Sequence, residues 1–271
     1  IISSEISAEN ENICFKYGVF DFIGRPFKTS IVRKRVQNMI NIYVYKNHLE
    51  QQVQEQTAVL RKAYEKLEKQ KERVEKLNKD ILDMLGTIVE FRNLESGEHI
   101  MRVKGYTKIL AEKFKELYPE YNLTDEMIDN IVEASALHDL GKISIPDKIL
   151  LKPGRLTKEE FEYMKLHTVK GCELIQAVNL EQSEELKQIC YDIIRYHHER
   201  YDGKGYPDGL KGDEIPVSAQ LVSLADVYDA LINERCYKDA FSNEKAFNMI
   251  MNGECGTFSP KLERFAIEER K

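Results

Sequence analysis

Ala136-Leu137-His138-Asp139-Leu140-Gly141-Lys142 sets a histidine beside an aspartate at the end of an apolar three-to-four pattern that begins near residue 125. Neighbouring helical residues diverge by about 100 degrees. Both side chains can still reach one cluster beside the helix, and an aspartate can bridge two ions. Gly141 can end such a helix, which leaves Lys142 close to the same point. Working outward, His99 stands four residues after Glu95, His167 and the pair His197-His198 follow, and Asp226 and Asp229 lie three apart. Spacings of three and four place side chains on one helical face. Of the six histidines only His48 lies elsewhere. A lone buried histidine is usually a hydrogen-bonded core residue; five of them among carboxylates predict a multinuclear metal centre. Imidazole and carboxylate suit iron, manganese, zinc or nickel, whereas a soft site would need thiolate. Metal-assisted hydrolysis is the chemistry expected.

Bulk composition narrows the class. The 271 residues carry a formal charge of −6 and 32% charged side chains, which argues against a partner that is a nucleic-acid polymer. No run approaches the roughly eighteen apolar residues of a membrane span, so no membrane partner is expected. The five cysteines, Cys14, Cys172, Cys190, Cys236 and Cys255, are scattered. That usage fits a reducing, cytoplasmic setting rather than a disulfide framework or zinc ribbon. The chain opens Ile-Ile-Ser-Ser without an initiator methionine or signal peptide and reads as a fragment of something longer.

Three regions are expected. Residues 93–271 show apolar residues at helical spacing over 98–118, 125–140, 158–178, 183–199, 216–233 and 243–252, with almost no strand signal, so the fold class is mainly α. His167 would lie nine residues into the helix starting near Lys158. Residues 29–92 carry the clearest periodicity. Val32, Met39, Val53, Leu60, Leu67, Val74, Ile81 and Ile88 occupy one seven-residue lattice, broken at Lys46. Ile42, Leu49, Ala63, Leu77, Met84 and Phe91 fall three residues on, with Gln56 and Gln70 as polar breaks. A narrow seven-residue stripe faces one partner only if helices supercoil; a parallel homodimeric coiled coil is expected. Residues 1–28, with Tyr17-Gly18-Val19-Phe20-Asp21-Phe22-Ile23-Gly24-Arg25-Pro26-Phe27, resemble the last strand–helix units of a two-component receiver domain, Arg25 standing at the usual lysine. No phosphate-accepting aspartate is present in this piece, so an upstream sensor kinase would act on the receiver of a full-length protein.

The order of motifs is itself recognisable. His138-Asp139 with Gly141-Lys142, His167, the string His197-His198-Glu199-Arg200-Tyr201-Asp202-Gly203-Lys204-Gly205-Tyr206-Pro207-Asp208-Gly209-Leu210, Glu214-Ile215-Pro216 and Asp226-Val227-Tyr228-Asp229 strongly resemble the HD-GYP family. The likeness covers about residues 85 to 265, through Arg235-Cys236-Tyr237-Lys238 and Gly256-Thr257-Phe258-Ser259-Pro260, where Ser259 replaces the usual aspartate. It implies a helical HD bundle that hydrolyses the bacterial second messenger cyclic di-GMP. It also implies that His99, His138, Asp139, His167, His197, His198 and Asp226 bind a pair of divalent metals bridged by Asp139. Glu95 matches an extra ligand of members with a third ion. Iron or manganese are the foremost cofactors, with zinc, nickel or magnesium open.

Two ions can acidify a bridging water and clamp phosphate oxygens, giving linear pGpG and, in some members, GMP. Asp139 and Lys142 are the catalytic candidates, Lys142 binding phosphate or assisting the leaving oxygen. Lys142 is otherwise an ordinary helix-end cation. In the glycine-rich loop Gly205 would let a ligand approach the backbone and Tyr206 would stack on a base; the loop also reads as a tight structural turn packed by Tyr206, and the two roles can coexist. Arg235 and Lys238 match positions that contact the dinucleotide, and Asp229 is a further candidate there. The alternatives are an HD-type metallohydrolase for another cyclic nucleotide or a different substrate, and a non-catalytic module that binds cyclic di-GMP or a partner protein.

Overall fold

A computed structural model describes residues 2–3, 8–21, 23–93, 97–177, 184–234 and 240–268. The chain divides into two compact units, Ile1–Arg73 and Val74–Lys271. In the first unit, strand β1 (Ile2–Ser3) pairs in parallel with β2 (Ile23–Gly24), and helix α1 (Ala8–Lys16) supplies the crossover that parallel strands require. Helix α2 (Thr29–Arg92) follows. Its sequence contains one glycine and no proline between those bounds, so nothing removes a ladder hydrogen bond. Within the first unit Val53, Leu60 and Leu67 are exposed on it.

The second unit is helical. After α2 come α3 (Glu98–Leu117), α4 (Asp125–Ser135), α5 (Asp147–Leu150), α6 (Lys158–Lys165), α7 (His167–Ala177), α8 (Glu184–Tyr196), α9 (Val217–Ile232), α10 (Asn243–Met251) and α11 (Pro260–Glu268). The mainly α expectation holds. Helix α3 packs on α4 and α9, α8 on α4, α7 and α9, and α7 on the 3₁₀ segment Leu140–Ser144. Val103, Ile131, Ile193, Ile194, Leu221 and Ala225 are at the centre of the core. Helix starts follow from local chemistry: Thr124 caps α4 by accepting from the Met127 amide, and Thr157 with Glu160 forms a capping box on α6.

Two helix boundaries differ from the sequence pattern. The 125–140 pattern is helical only to Ser135. The Leu137 and His138 amides donate to the carbonyls of Ala134 and Ser135, a tightened i to i−3 turn, so His138 and Asp139 sit on the turn itself. The 158–178 pattern breaks at Leu166, and His167 opens α7 instead of lying within one long helix. Its ring takes up the Met164 carbonyl at 2.8 Å, an acceptor left over at the end of α6. No helix among the described residues is long and apolar enough to cross a membrane.

Candidate metal centre

The turn after α4, the start of α7, the end of α8 and one face each of α2, α3 and α9 converge on a buried polar site. His138, His167 and His197 are at most 1% exposed and His99 3%. Each ring is held by its Nδ1. His138 donates to the Ser135 carbonyl at 2.9 Å, His167 to Met164 at 2.8 Å, and His197 to Ile193 at 2.9 Å and Ile194 at 3.2 Å. A donor at Nδ1 leaves the Nε2 lone pair free to point inward. His99 differs: its Nδ1 lies 2.7 Å from a carboxylate oxygen of Asp229.

The Nε2 atoms meet around Asp139. Its Oδ1 lies 3.4 Å from His167 Nε2 and 3.9 Å from His197 Nε2, and its Oδ2 lies 3.2 Å from His138 Nε2 and 2.6 Å from Lys142 Nζ. Two sets of ligand atoms result, each within 4.8 Å of one another. One comprises Asp139, His167, His197 and His198, the other Glu90, His99 and His138. Asp226 reaches within 3.6 Å of His99 Nε2.

The donor chemistry fits divalent cations. His138 Nε2, Asp139 Oδ1 and both carboxylate oxygens of Glu90 are buried without a hydrogen bond. His138 Nε2 lies 3.2 Å from Asp139 Oδ2, an electrostatic contact. Orphaned buried polar atoms cost about 1–3 kcal/mol each, more when charged, and the three carboxylate oxygens among them point to cations as the missing partners.

Burial, helped by the neighbouring His138, pushes His197 down to about 3; it also lowers His167 and takes His198 well below its ordinary value. All three are neutral at physiological pH, as a ligating imidazole must be. For His138 burial acts to lower the value, but adjacent Asp139 outweighs it and lifts the ring to about 10. Burial opposes ionisation of Asp139, yet Lys142 and His138 hold it well below the ordinary carboxylate range. Burial raises Glu90.

A family model described as "HD domain" matches residues 97–262. The chain belongs to the HD-domain family. A "Probable cyclic di-GMP phosphodiesterase" of Vibrio cholerae is 36% identical over 280 residues, covering 99% of this chain and 60% of that protein. A "3'3'-cGAMP-specific phosphodiesterase 2" of the same species is 38% identical over 191 residues, covering 70% and 34%. The chain thus spans 60% and 34% of the length of these two relatives. A solved structure described as a cyclic GMP-AMP specific phosphodiesterase of V. cholerae superposes with a TM-score of 0.50 at 17% identity, covering 71% of this chain and 48% of that one, which speaks for the helical fold alone.

Within the HD domain several of the expected residues also have a structural part. Glycine is required at 141, but by packing instead of a helix end. A Cβ there would stand 1.8 Å from the His167 carbonyl oxygen and 2.6 Å from the Gly171 amide nitrogen. Gly205 is required by its own loop, since a Cβ would meet the Arg200 nitrogen at 2.3 Å and Glu199 Cα at 2.4 Å. That loop is pinned from behind. Glu199 accepts from the amides of Asp208 and Gly209 at 2.7 and 2.9 Å, and Arg195 pairs with Asp208. Tyr206 lies on His198 with ring centroids 4.8 Å apart. Asp229, expected toward the dinucleotide, is 1% exposed and engaged by His99, Arg102 and Asn233, so it orients His99. Glu95, Arg235 and Lys238 lie outside the described residues.

Glu90 was not legible in the sequence because it falls off the heptad stripe and reads as a solvated flank. The available signal was Gly86, one turn earlier on the same face. A Cβ at Gly86 would stand 2.3 Å from the Ala136 carbonyl oxygen, so the missing side chain lets α2 press on the turn bearing His138 and delivers Glu90 to it.

Proposed function

We propose that this chain is the catalytic part of a metal-dependent phosphodiesterase that opens cyclic di-GMP to linear pGpG, as the output of a response regulator. The observation that carries the reading is the convergence of five imidazoles and two carboxylates on a cage in which several buried polar atoms lack hydrogen bonds, in a chain similar to named cyclic-dinucleotide phosphodiesterases.

Asp139, His167, His197 and His198 would hold one cation, and Glu90, His99 and His138 a second, with Asp139 and Asp226 at the border between them. Bound divalent cations supply acidification of water and neutralisation of phosphate charge. The remaining work falls to the chain. The Nδ1 hydrogen bonds fix each ring, and Asp229 with Arg102 fixes His99. Lys142 presents an ammonium at the rim of the cage, where it can pair with a non-bridging phosphate oxygen or give a proton to the departing 3′ oxygen as the P–O3′ bond breaks. The loop 199–210, held by Glu199 and Arg195, walls one side. The parallel β1–β2 pair with its crossover helix supports the receiver-like reading of the first residues, and a kinase-controlled receiver belongs to the longer protein.

A second reading, 3'3'-cGAMP as substrate, is favoured by the relative of that specificity; base selection would rest on contacts such as those expected of Arg235 and Lys238. The test is anaerobic loading of the purified chain with iron or manganese, followed by chromatography of products from each cyclic dinucleotide. Conversion of cyclic di-GMP to pGpG, abolished in His138→Ala/Asp139→Ala, is expected. Equal turnover by that double variant, or none by the loaded chain, would overturn the reading.

A further inference from the structure

Residues 74–92 carry two opposed faces. On one, Gly86, Val89 and Glu90 are buried against the HD domain, and Asp83 accepts from Lys104 at 2.5 Å. On the other, Val74, Leu77, Ile81, Met84, Ile88 and Phe91 are 47–78% exposed. In heptad terms the rows that a coiled coil normally gives to water bear on the domain, and the two apolar core rows are left uncovered.

With the second copy of this chain that the heptads call for seated on this apolar face, we infer that closing the seam fixes the helix that brings Glu90 to the metal centre. Single exposed apolar residues need no explanation, but six large ones in a continuous stripe do. A stripe repeating every seven residues matches another helix of the same repeat, and a two-fold parallel pairing sets each row against its own copy. The seam and the cage share the last turns of α2. Phe91 in the seam is adjacent to Glu90 in the cage. Arg92 donates to the carbonyls of Lys142, Ile143 and Ile145 at 2.6–2.8 Å. Rotation or slippage of the seam therefore moves Glu90 and the Lys142 segment together. Glu90 is then a ligand, and Arg92 a positioning residue, of a dimer-dependent site, an inference that rests on reading the cage as metal-binding.

The test uses the 271-residue chain without any nucleotide. Light scattering across a dilution series should show a dimer, with Ile81→Asp/Ile88→Asp raising its dissociation constant on the order of a thousandfold. A benzophenone amino acid at Met84 or Phe91 in the otherwise unaltered chain should cross-link two copies, and one at Lys76, on a non-seam row, should not. Manganese titration followed by electron paramagnetic resonance should show the monomeric variant losing about tenfold in affinity for one ion. Glu90→Gln should reproduce that loss while remaining dimeric. A monomeric parent chain, or equal cross-linking from Lys76, would overturn the seam. A folded monomeric variant with unchanged manganese binding would overturn the coupling. Should the double aspartate variant lose its helical circular dichroism, the cross-linking arm and Glu90→Gln decide alone. Failure to cleave cyclic di-GMP would bear on the proposed activity and leave these outcomes untouched.

Discussion

Gly141→Ala is the sharpest single-atom test of how the fold places the centre. The added methyl would meet the His167 carbonyl oxygen at 1.8 Å, the Gly171 nitrogen at 2.6 Å and the His167 carbonyl carbon at 2.7 Å. All three are backbone atoms, so no side chain can swing aside. Restoring ordinary contact distances of about 3.5 Å requires the 140–144 segment and the start of α7 to separate by roughly 1.5 Å. Overpacking of this kind costs about 1–3 kcal/mol, and the upper end applies where backbone must move. For a unit of this size that corresponds to a melting temperature lower by about 6–12 °C. The segments forced apart bear Asp139 and His167, and a displacement of about 1 Å at a reacting site can cost a hundredfold in rate. Calorimetry, metal content and turnover of the variant are the assay, with Gly105→Ala as companion. Gly105 lies within α3 with nothing within 4 Å of a Cβ, so alanine there should stabilise by roughly 0.5–1 kcal/mol. A Gly141→Ala protein with unchanged melting and metal content would refute the packing argument.

Other outcomes follow from the same geometry. Asp229→Asn removes the charge that holds His99 and Arg102 and should weaken metal binding by about 10- to 100-fold, read by titration calorimetry with manganese. Arg92→Ala frees the carbonyls of Lys142, Ile143 and Ile145, and limited proteolysis should then cut faster within 140–147 than in the parent. Burial works against the Lys104 ammonium, but hydrogen bonds to Asp83 and Glu133 outweigh it and raise its pKa above the ordinary 10.5. Its stabilising contribution is thus complete below pH 10.5 and lost as pH rises through the higher folded value. Lys104→Met should cost about 1–3 kcal/mol at pH 7 by leaving Asp83 without its cation, while Glu133 keeps Lys79 at 3.4 Å, and denaturant curves should show the gap narrowing above pH 10.5.

What the sequence disclosed depended on scarcity and period. Histidines are few, so five of them beside carboxylates declared a metal centre before any coordinates, and the structure brings together His99, His138, His167, His197 and His198 with Asp139 and Asp226. Heptad spacing likewise announced one long helix over 29–92. Tertiary contact hid the rest. Glu90 shares its helix with a seven-residue stripe, and only the close approach at Gly86 turns it inward. Asp229, three residues after Asp226 on the same helix, reads in sequence as a contact to the dinucleotide, yet it braces His99 from behind while Asp226 faces the cage. Gly141 and Gly205 carry the right residue for a reason that spacing does not reveal, namely a neighbouring backbone at less than contact distance. The break at Leu166 was concealed because apolar periodicity runs through it.

Metal stoichiometry by elemental analysis, joined to anomalous scattering from crystals of the anaerobically loaded chain, bears most directly on the centre. Two or three ions per chain are expected, one among Asp139, His167, His197 and His198 and another against Glu90, His99 and His138. Crystals of the loaded chain with no anomalous peak within ligand distance of Asp139 would contradict that expectation.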